Sequence, residues 1–262
     1  MNKYSIVSQI MHKQFLSKGQ LVDIFLDNIK NKAKNFNINV LNNIFITGLA
    51  RSGSTALLES IDKTNQIGSL RYKYMPFILS PKLAIFYQRY FVKKNFEEFE
   101  RFHGDGLKIS LNSPECLDEP FWINSIYAKN NFDKLISPHD VSIELAREYG
   151  YLLDYFSKIE NKKKLVIKNN NHHLRINTMA KLFPNSIFFI LFRRPLAQAF
   201  SLWNQHKKFN EIQGNNPYIL DYMNLIGHWE FGRGLKPFIY KKNQEDILKK
   251  YDPFFIEYWI QQ

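Results

Sequence analysis

Short apolar runs along the chain alternate with longer segments in which apolar residues recur at helical spacing. Runs of β-branched and aromatic residues at 44–47, 165–168 and 186–192 predict strands, and a predicted helix follows each of them. Strands that alternate with helices form parallel sheets covered on both faces. The pattern therefore predicts an α/β protein with three α/β/α layers, a short and mainly parallel sheet, and many helices.

Helical spacing of apolar residues also predicts helices outside these strand–helix units. Residues 4–36 predict two helices that are interrupted near Gly19. Further predicted helices cover residues 83–102, 137–156, 196–206, 218–231 and 243–260. With 262 residues, of which 45% are hydrophobic, the chain can bury a sizeable core, and we expect one domain over residues 1–262.

The turn after the first predicted strand carries the most informative local pattern. Residues 48–55, Gly-Leu-Ala-Arg-Ser-Gly-Ser-Thr, match the frame Gly-x-x-x-x-Gly of a phosphate-binding P-loop. Such a turn lets backbone N–H groups converge beside a helix N-terminus, and both features attract an anion. The residues that we predict to bind this anion are Arg51, Ser52, Gly53, Ser54 and Thr55.

A second basic turn follows the predicted strand at residues 186–192. Arg193 lies at the carboxyl end of this strand, and Ser201 lies about two turns into the helix that follows. Both side chains could reach a single anion that lies over the edge of the sheet. We therefore predict a second anion contact at Arg193 and Ser201.

These two patterns together resemble the PAPS-dependent sulfotransferases, in a bacterial sulfotransferase-like branch with Arg-Ser-Gly in the phosphosulfate loop. PAPS is 3′-phosphoadenosine 5′-phosphosulfate, the sulfuryl donor. The resemblance implies that Arg51 and residues 52–55 hold the 5′-phosphosulfate, and that Arg51 neutralises charge on the leaving phosphate. It implies that Arg193 and Ser201 hold the 3′-phosphate.

The third predicted strand also resembles a family element. Lys168 stands where the family's strand-end lysine faces the donor, so the resemblance implies that it helps to hold the sulfuryl group. A lysine that extends toward solvent from a strand end is the alternative. Asn170 and Arg194 depart from the family, which commonly has proline and aspartate at these places.

The resemblance implies transfer of a sulfuryl group from PAPS to a hydroxyl or amine of an unidentified acceptor, without a metal. It divides the chain into N-terminal helices (1–40), a nucleotide-binding core (41–212) with an acceptor-side insertion (65–160), and C-terminal helices (213–262). Members of the family normally continue into another strand and a basic glycine loop. Either the C-terminal part is therefore truncated relative to the family, or this protein lacks the loop and binds the donor less tightly.

The acceptor needs a group that removes its proton, and two turns in the insertion offer candidates. His103 and Asp105 lie in a His-Gly-Asp-Gly turn, and Glu115 follows Ser-Pro. The resemblance places similar stretches in some bacterial sulfotransferase-like proteins. The structural alternatives are a stabilised glycine turn for His103 and Asp105, and the first turn of a helix for Glu115.

The charge and the cysteine content of the chain limit which ligands, metal sites and disulfides it can have. The net charge of +12 favours an anionic ligand, and the scattered lysines accompany no nucleic-acid-binding motif, so we expect no nucleic-acid partner. The single cysteine excludes an intrachain disulfide, and the adjacent His172 and His173 cannot share a helix face as paired zinc ligands. The chain has neither a membrane-spanning apolar run nor a signal-peptide pattern, so we expect a cytoplasmic protein.

Two other functions stay open at this stage. A P-loop kinase or triphosphatase needs a phosphate-binding lysine and a strand-end aspartate for Mg²⁺, but Ser54 occupies the lysine position. A protein that binds a nucleotide or another anion without catalysis needs only the loop and the basic surface. Turnover that depends on the donor separates this binding protein from the enzyme.

Overall fold

The computed structural model describes residues 5–90, 99–100, 108–115, 117–127 and 136–262. For residues 99, 100 and 108 it describes the backbone alone. His103 and Asp105, two of the predicted candidates for the base, lie outside the described residues.

The centre of the fold is a parallel sheet of four strands in the order β2, β5, β1, β6. The strands are β1 (Ile44–Thr47), β2 (Gly68–Ser69), β5 (Leu165–Lys168) and β6 (Ile187–Ile190). A separate antiparallel pair consists of β3 (Phe99–Glu100) and β4 (Lys108–Ile109). The predicted α/β class with a short parallel sheet is confirmed, and the strands predicted at 44–47, 165–168 and 186–192 are its β1, β5 and β6.

Most of the regular elements in the described residues are helices. They are α1 (Ile6–Leu16), α2 (Gln20–Ala33), α3 (Ser54–Asp62), α4 (Pro81–Tyr90), α5 (Glu119–Trp122), α6 (Ile143–Ile159), α7 (Ile176–Leu182), α8 (Pro195–Asn215), α9 (Pro217–Leu225), α10 (Gln244–Leu248) and α11 (Ile256–Gln261). Short 3₁₀ segments lie at Ile38–Val40, Tyr72–Tyr74 and Asn170–Leu174, and a π-helical segment lies at Ile123–Tyr127.

Several predicted helix boundaries are wrong. The helix expected at 83–102 does not reach its predicted end, because Phe99–Glu100 belongs to a strand. Helix α6 begins at Ile143, where Ser142 caps it through the Leu145 amide, rather than at residue 137. The helix expected at 243–260 is two short helices, α10 and α11. The predicted break near Gly19 does separate α1 from α2.

Burial differs sharply between the centre and the edge of the sheet. All four residues of β1 are buried, and the ring of Phe45 stacks on Phe188 of β6 with centroids 4.9 Å apart. Strand β6 is an edge strand, and its Ile187, Phe189 and Ile190 are 52%, 41% and 45% exposed. The hydrophobic core therefore lies around β1 and β5.

Gly48, the first residue after β1, allows the chain to pass close to the end of β6. Gly48 has φ +136°, and a Cβ atom at this position would lie 2.4 Å from the backbone oxygen of Leu191. Only glycine fits both the conformation and the space. The loop after β1 therefore passes directly over the carboxyl end of β6.

We expect Gly48→Ala to destabilise the protein more than Gly53→Ala does. Both glycines have positive φ, but a Cβ at Gly53 would meet no atom within 4 Å. Left-handed strain costs about 1–3 kcal/mol at either position, and Gly48→Ala adds a backbone clash. Urea unfolding of both variants measures the difference. Equal loss of unfolding free energy in the two variants would contradict the close approach at Leu191.

Candidate active site

The loop between β1 and α3, residues 48–53, lies where three parallel strands end. Strand β1 lies between β5 and β6, so the turns after all three strands meet at one edge of the sheet. Arg51 has φ +70° and Gly53 has φ +94°, which turn the chain sharply before α3 begins at Ser54. This brings Arg51, Ser54 and Thr55 to one cavity.

The carbonyl groups of the loop are held by helix α8 and by the turn before it. The side-chain amide of Gln198 donates to the carbonyl oxygens of Leu49 and Ala50, at 3.3 and 2.9 Å. The guanidinium of Arg193 donates to the Arg51 carbonyl at 3.2 Å. Because its carbonyls are engaged on this side, the loop keeps a fixed shape.

Arg51 and Ser201 are in direct contact although 150 positions separate them. The Arg51 Nε donates to the Ser201 Oγ at 3.0 Å. Arg193 also contacts the Arg51 backbone, so the two predicted anion-binding elements form one site. Sequence reasoning missed Gln198, but its position three residues before Ser201 on the same helix face was an available signal.

Ser52 and Ser54, the predicted loop hydroxyls, have different surroundings. Ser54 is buried, and its Oγ donates to the side-chain oxygen of Asn170 at 3.2 Å. The Oγ of Ser52 is buried and has no hydrogen-bond partner among the described residues. A buried hydroxyl without a partner is costly, so an acceptor atom from a ligand would satisfy it.

Lys168 and Glu115 form a buried ion pair next to the loop. Lys168, the last residue of β5, is 4% exposed, and its Nζ lies 3.0 Å from the Glu115 Oε1. The alternative in which Lys168 extends to solvent is therefore wrong. Glu115 is not in a helix, because Pro114 bridges to Arg71 and the next helix starts at Glu119. The helix-start alternative for Glu115 is also wrong.

Asn170 connects the loop with the opposite wall of the cavity. Its side-chain oxygen accepts from Ser54, and its side-chain nitrogen donates to the Glu230 Oε1 at 2.9 Å. Its backbone oxygen accepts from Thr47 at 3.1 Å. A proline at this position could make neither side-chain contact, so the departure noted in the sequence has a structural role.

Glu230 and His228 form an acidic and basic pair that sequence reasoning did not single out. The His228 Nδ1 and the Glu230 Oε2 are 3.5 Å apart, and Glu230 is 3% exposed. Burial opposes ionisation of Glu230, but the nearby His228 and the Asn170 amide outweigh it. The pKa of Glu230 is lowered to about 2. This carboxylate is ionised at neutral pH.

These groups surround a cavity of about 100 Å³. Its polar residues lie at the loop, at Glu115, at the end of β5 and at His228 and Glu230, and most of the remaining wall is apolar. The lining residues are Ala50, Arg51, Ser54, Thr55, Tyr72, Ile109, Glu115, Lys168, Asn170, Phe209, Ile219, Tyr222, Met223, Ile226, His228, Glu230 and Phe231. Arg193 and Ser201 do not line this cavity but contact Arg51 beside it.

A fully buried network of charged and polar side chains contacts the turn that carries two residues of the cavity wall, Lys168 and Asn170. Arg175 forms an ion pair with Glu119 and donates from Nε to the His172 Nδ1 at 3.1 Å. The Asn169 amide donates to Asp118 and Glu119, at 3.0 and 2.6 Å. The network therefore fixes residue 169, which lies between Lys168 and Asn170.

Protonation in this network follows from its geometry. Because the His172 Nδ1 accepts from Arg175, its Nε2 carries the proton and faces Asp118 at 3.2 Å. Burial lowers the pKa of His172, so its ring is neutral. Burial opposes ionisation of Asp118, but His172, Tyr149 and Arg175 favour it, and the pKa of this carboxyl is lowered. Glu119 is thus paired with Arg175, and the Asp118 carboxylate is held by hydrogen bonds from Tyr149 and Asn169.

Two features are absent from the described residues. No cluster of three or more His, Cys, Asp or Glu side chains in this part of the chain could hold a metal ion. None of its helices is long and apolar enough to cross a membrane.

The fold is α/β, and a basic turn lies where its parallel strands end. Residues 43–231 match the family model described as "Sulfotransferase family". The match spans well over half of the chain, so the chain belongs to the sulfotransferase family. No curated protein matches the sequence.

Two solved structures are similar to this chain. The sulfotransferase STF1 from Mycobacterium tuberculosis H37Rv is 12% identical, with a TM-score of 0.43. The similarity covers 89% of this chain and 73% of that one. The sulfotransferase STF9 from Mycobacterium avium is 14% identical, with a TM-score of 0.40, over 87% of this chain and 65% of that one.

Proposed function

We propose that this protein transfers a sulfuryl group from PAPS to a hydroxyl or amine of an acceptor. Membership of the sulfotransferase family supports the type of reaction. The observation that carries the choice of donor is the contact of Arg51 with Ser201 and Arg193. This contact joins the two elements that the resemblance assigns to the two phosphate groups of PAPS.

The residues fit such a donor. The 5′-phosphosulfate would lie against the backbone N–H groups and hydroxyls of residues 52–55, where the buried Ser52 hydroxyl lacks a partner among the described residues. The 3′-phosphate would lie against Arg193 and Ser201. Arg51 contributes a positive charge between the two sites.

In the proposed reaction, positively charged side chains stabilise the charge that develops during sulfuryl transfer. The acceptor oxygen or nitrogen forms a bond to sulfur while the bond from sulfur to the 5′-phosphate oxygen breaks. Negative charge grows on that phosphate, where Arg51 and Lys168 stabilise it. Glu115 holds Lys168 in the cavity through their ion pair and remains a candidate for the group that takes the acceptor's proton. No step in this scheme requires a metal.

The first test is calorimetric titration with 3′-phosphoadenosine 5′-phosphate (PAP), the desulfated product. We expect PAP to bind the wild type and Arg193→Ala to weaken binding about ten- to a hundredfold, as loss of a charged hydrogen bond to phosphate predicts. Arg147→Ala, which removes an arginine from α6, is the matched control and should bind PAP as the wild type does.

Titration with ATP and Mg²⁺ tests the kinase alternative on the same samples. Binding of ATP and Mg²⁺ without binding of PAP would refute the proposed donor. Binding of PAP without any turnover of PAPS across a panel of hydroxyl and amine acceptors would favour the non-catalytic binding protein.

A further inference from the structure

The cavity has a second wall whose chemistry the family resemblance does not explain. It carries His228 and Glu230, which lie beyond the end of α9. Arg51, Ser54 and Thr55 line the same cavity. With a volume of about 100 Å³, the cavity brings both walls within reach of one small molecule.

We propose that His228, oriented by Glu230, takes the proton from the hydroxyl of a small apolar acceptor in this cavity. The inference rests on the proposed function and deepens it. It names the catalytic base and the class of acceptor.

Glu230 is built to orient a histidine. It is 3% exposed, its Oε1 is occupied by the Asn170 amide, and its Oε2 faces the His228 Nδ1 at 3.5 Å. The Oε2 is buried and has no hydrogen-bond partner within the described part of the chain. A carboxylate facing Nδ1 keeps the proton on that nitrogen and leaves Nε2 as the basic atom. The same carboxylate stabilises the imidazolium that forms when Nε2 takes a proton.

A chain of hydrogen bonds connects this pair with the donor side. Ser54, at the start of α3, donates to Asn170, and Asn170 donates to Glu230. Asn170 follows the turn that the buried network holds at residue 169. The histidine, the carboxylate and the loop are therefore held in fixed positions relative to one another, as catalytic groups require.

Glu115 is less suited to the same role. Its Oε1 lies 3.0 Å from the Lys168 Nζ, and both side chains are buried. A carboxylate that takes up a proton would lose this ion pair. Glu115 therefore acts as a positioning residue that keeps Lys168 directed into the cavity.

The remaining wall indicates the acceptor. Apolar side chains from α8, α9 and the segment after α9 surround the space next to His228. They are Phe209, Ile219, Met223, Ile226 and Phe231. Such a wall favours an acceptor with an aromatic or aliphatic body, such as a phenol or a short alcohol, over a sugar chain.

The step balances with groups already named. The acceptor oxygen bonds to sulfur, the bond from sulfur to the 5′-phosphate oxygen breaks, and PAP keeps that bonding electron pair. The acceptor proton moves to the His228 Nε2 and then to solvent. The products are the sulfate ester, PAP and one proton.

The test compares two acceptors that differ in their need for a base. At slightly alkaline pH, phenol is still protonated, whereas para-nitrophenol is largely ionised. With PAPS as donor, His228→Gln should lower kcat/KM for phenol on the order of a hundredfold. The loss should be far smaller with para-nitrophenol, and Glu230→Gln should show the same preference. Imidazole added to His228→Ala should restore phenol turnover.

His139→Gln is the matched control, because His139 contacts the Ser137 carbonyl and does not line the cavity. Titration with PAP checks that each variant keeps a folded donor site. Equal loss with the two phenols, no loss, or no rescue by imidazole would overturn the role of His228. Wild type that binds PAP but uses neither phenol would overturn the inference through its acceptor class. Wild type that fails to bind PAP would overturn the proposed function itself.

Discussion

Replacing Arg175 with methionine is expected to cost more stability than any other single change considered for this protein. Arg175 is 1% exposed and pairs with Glu119, which is 0% exposed. The variant leaves the Glu119 carboxylate buried without its cation, which costs about 3–5 kcal/mol in comparable pairs. For a chain of this size, the midpoint of thermal unfolding should fall by roughly 6–20 °C. Thermal unfolding followed by circular dichroism measures this shift.

The double variant Arg175→Met with Glu119→Gln separates charge from packing. Removing both charges should recover part of the lost stability, because position 119 then no longer carries a buried charge without its cation. Arg147→Ala, an arginine on α6 outside the network, should unfold close to the wild type. If Arg175→Met unfolds within a few degrees of the wild type, the network does not hold the core in the way described.

The second large effect is expected for Lys168→Met, which should slow sulfuryl transfer on the order of a hundred- to a thousandfold. Lys168 is a buried cation at the end of β5. In the proposed reaction, its charge stabilises the transferring group only while the bond to sulfur changes. The affinity for PAP should therefore change much less than kcat. Single-turnover transfer from PAPS, alongside titration with PAP, separates the two quantities.

Because Lys168→Met leaves Glu115 without its partner, the double variant Lys168→Met with Glu115→Gln is the control for folding. It should be as slow as the single variant but more stable. Glu115→Gln alone compares the two candidate bases. A loss as large as that in His228→Gln, and confined to acceptors that need a base, would assign the base to Glu115.

The sequence was sufficient for the strands and the loop because their signals are local. Residues 44–55 contain a buried strand, two glycines and a helix start within one short segment. The spacing of Arg193 and Ser201 is likewise set by one turn and one helix. Their contact with Arg51 could not be predicted from a local sequence pattern, because it depends on β6 lying beside β1.

His228 and Glu230 were missed because their segment was predicted to continue a helix. The structure ends α9 at Leu225, and Gly227 then adopts φ +74°. A Cβ at Gly227 would lie 2.3 Å from the Glu119 Cγ, so this turn fits tightly over the buried network. A helix through residue 231 would have spaced the two side chains differently. No local pattern reports a contact with Glu119, which lies more than a hundred positions earlier.

The exposed edge strand β6 bears on how this protein should be handled at the bench. Backbone groups along an edge strand can pair with another chain, and the side chains of Ile187, Phe189 and Ile190 add apolar surface to that edge. Concentrated samples are therefore prone to strand-to-strand aggregation. A lysine in place of Phe189 would oppose such pairing by charge repulsion while leaving β1 and the loop unchanged, which makes it a sensible background for crystallisation.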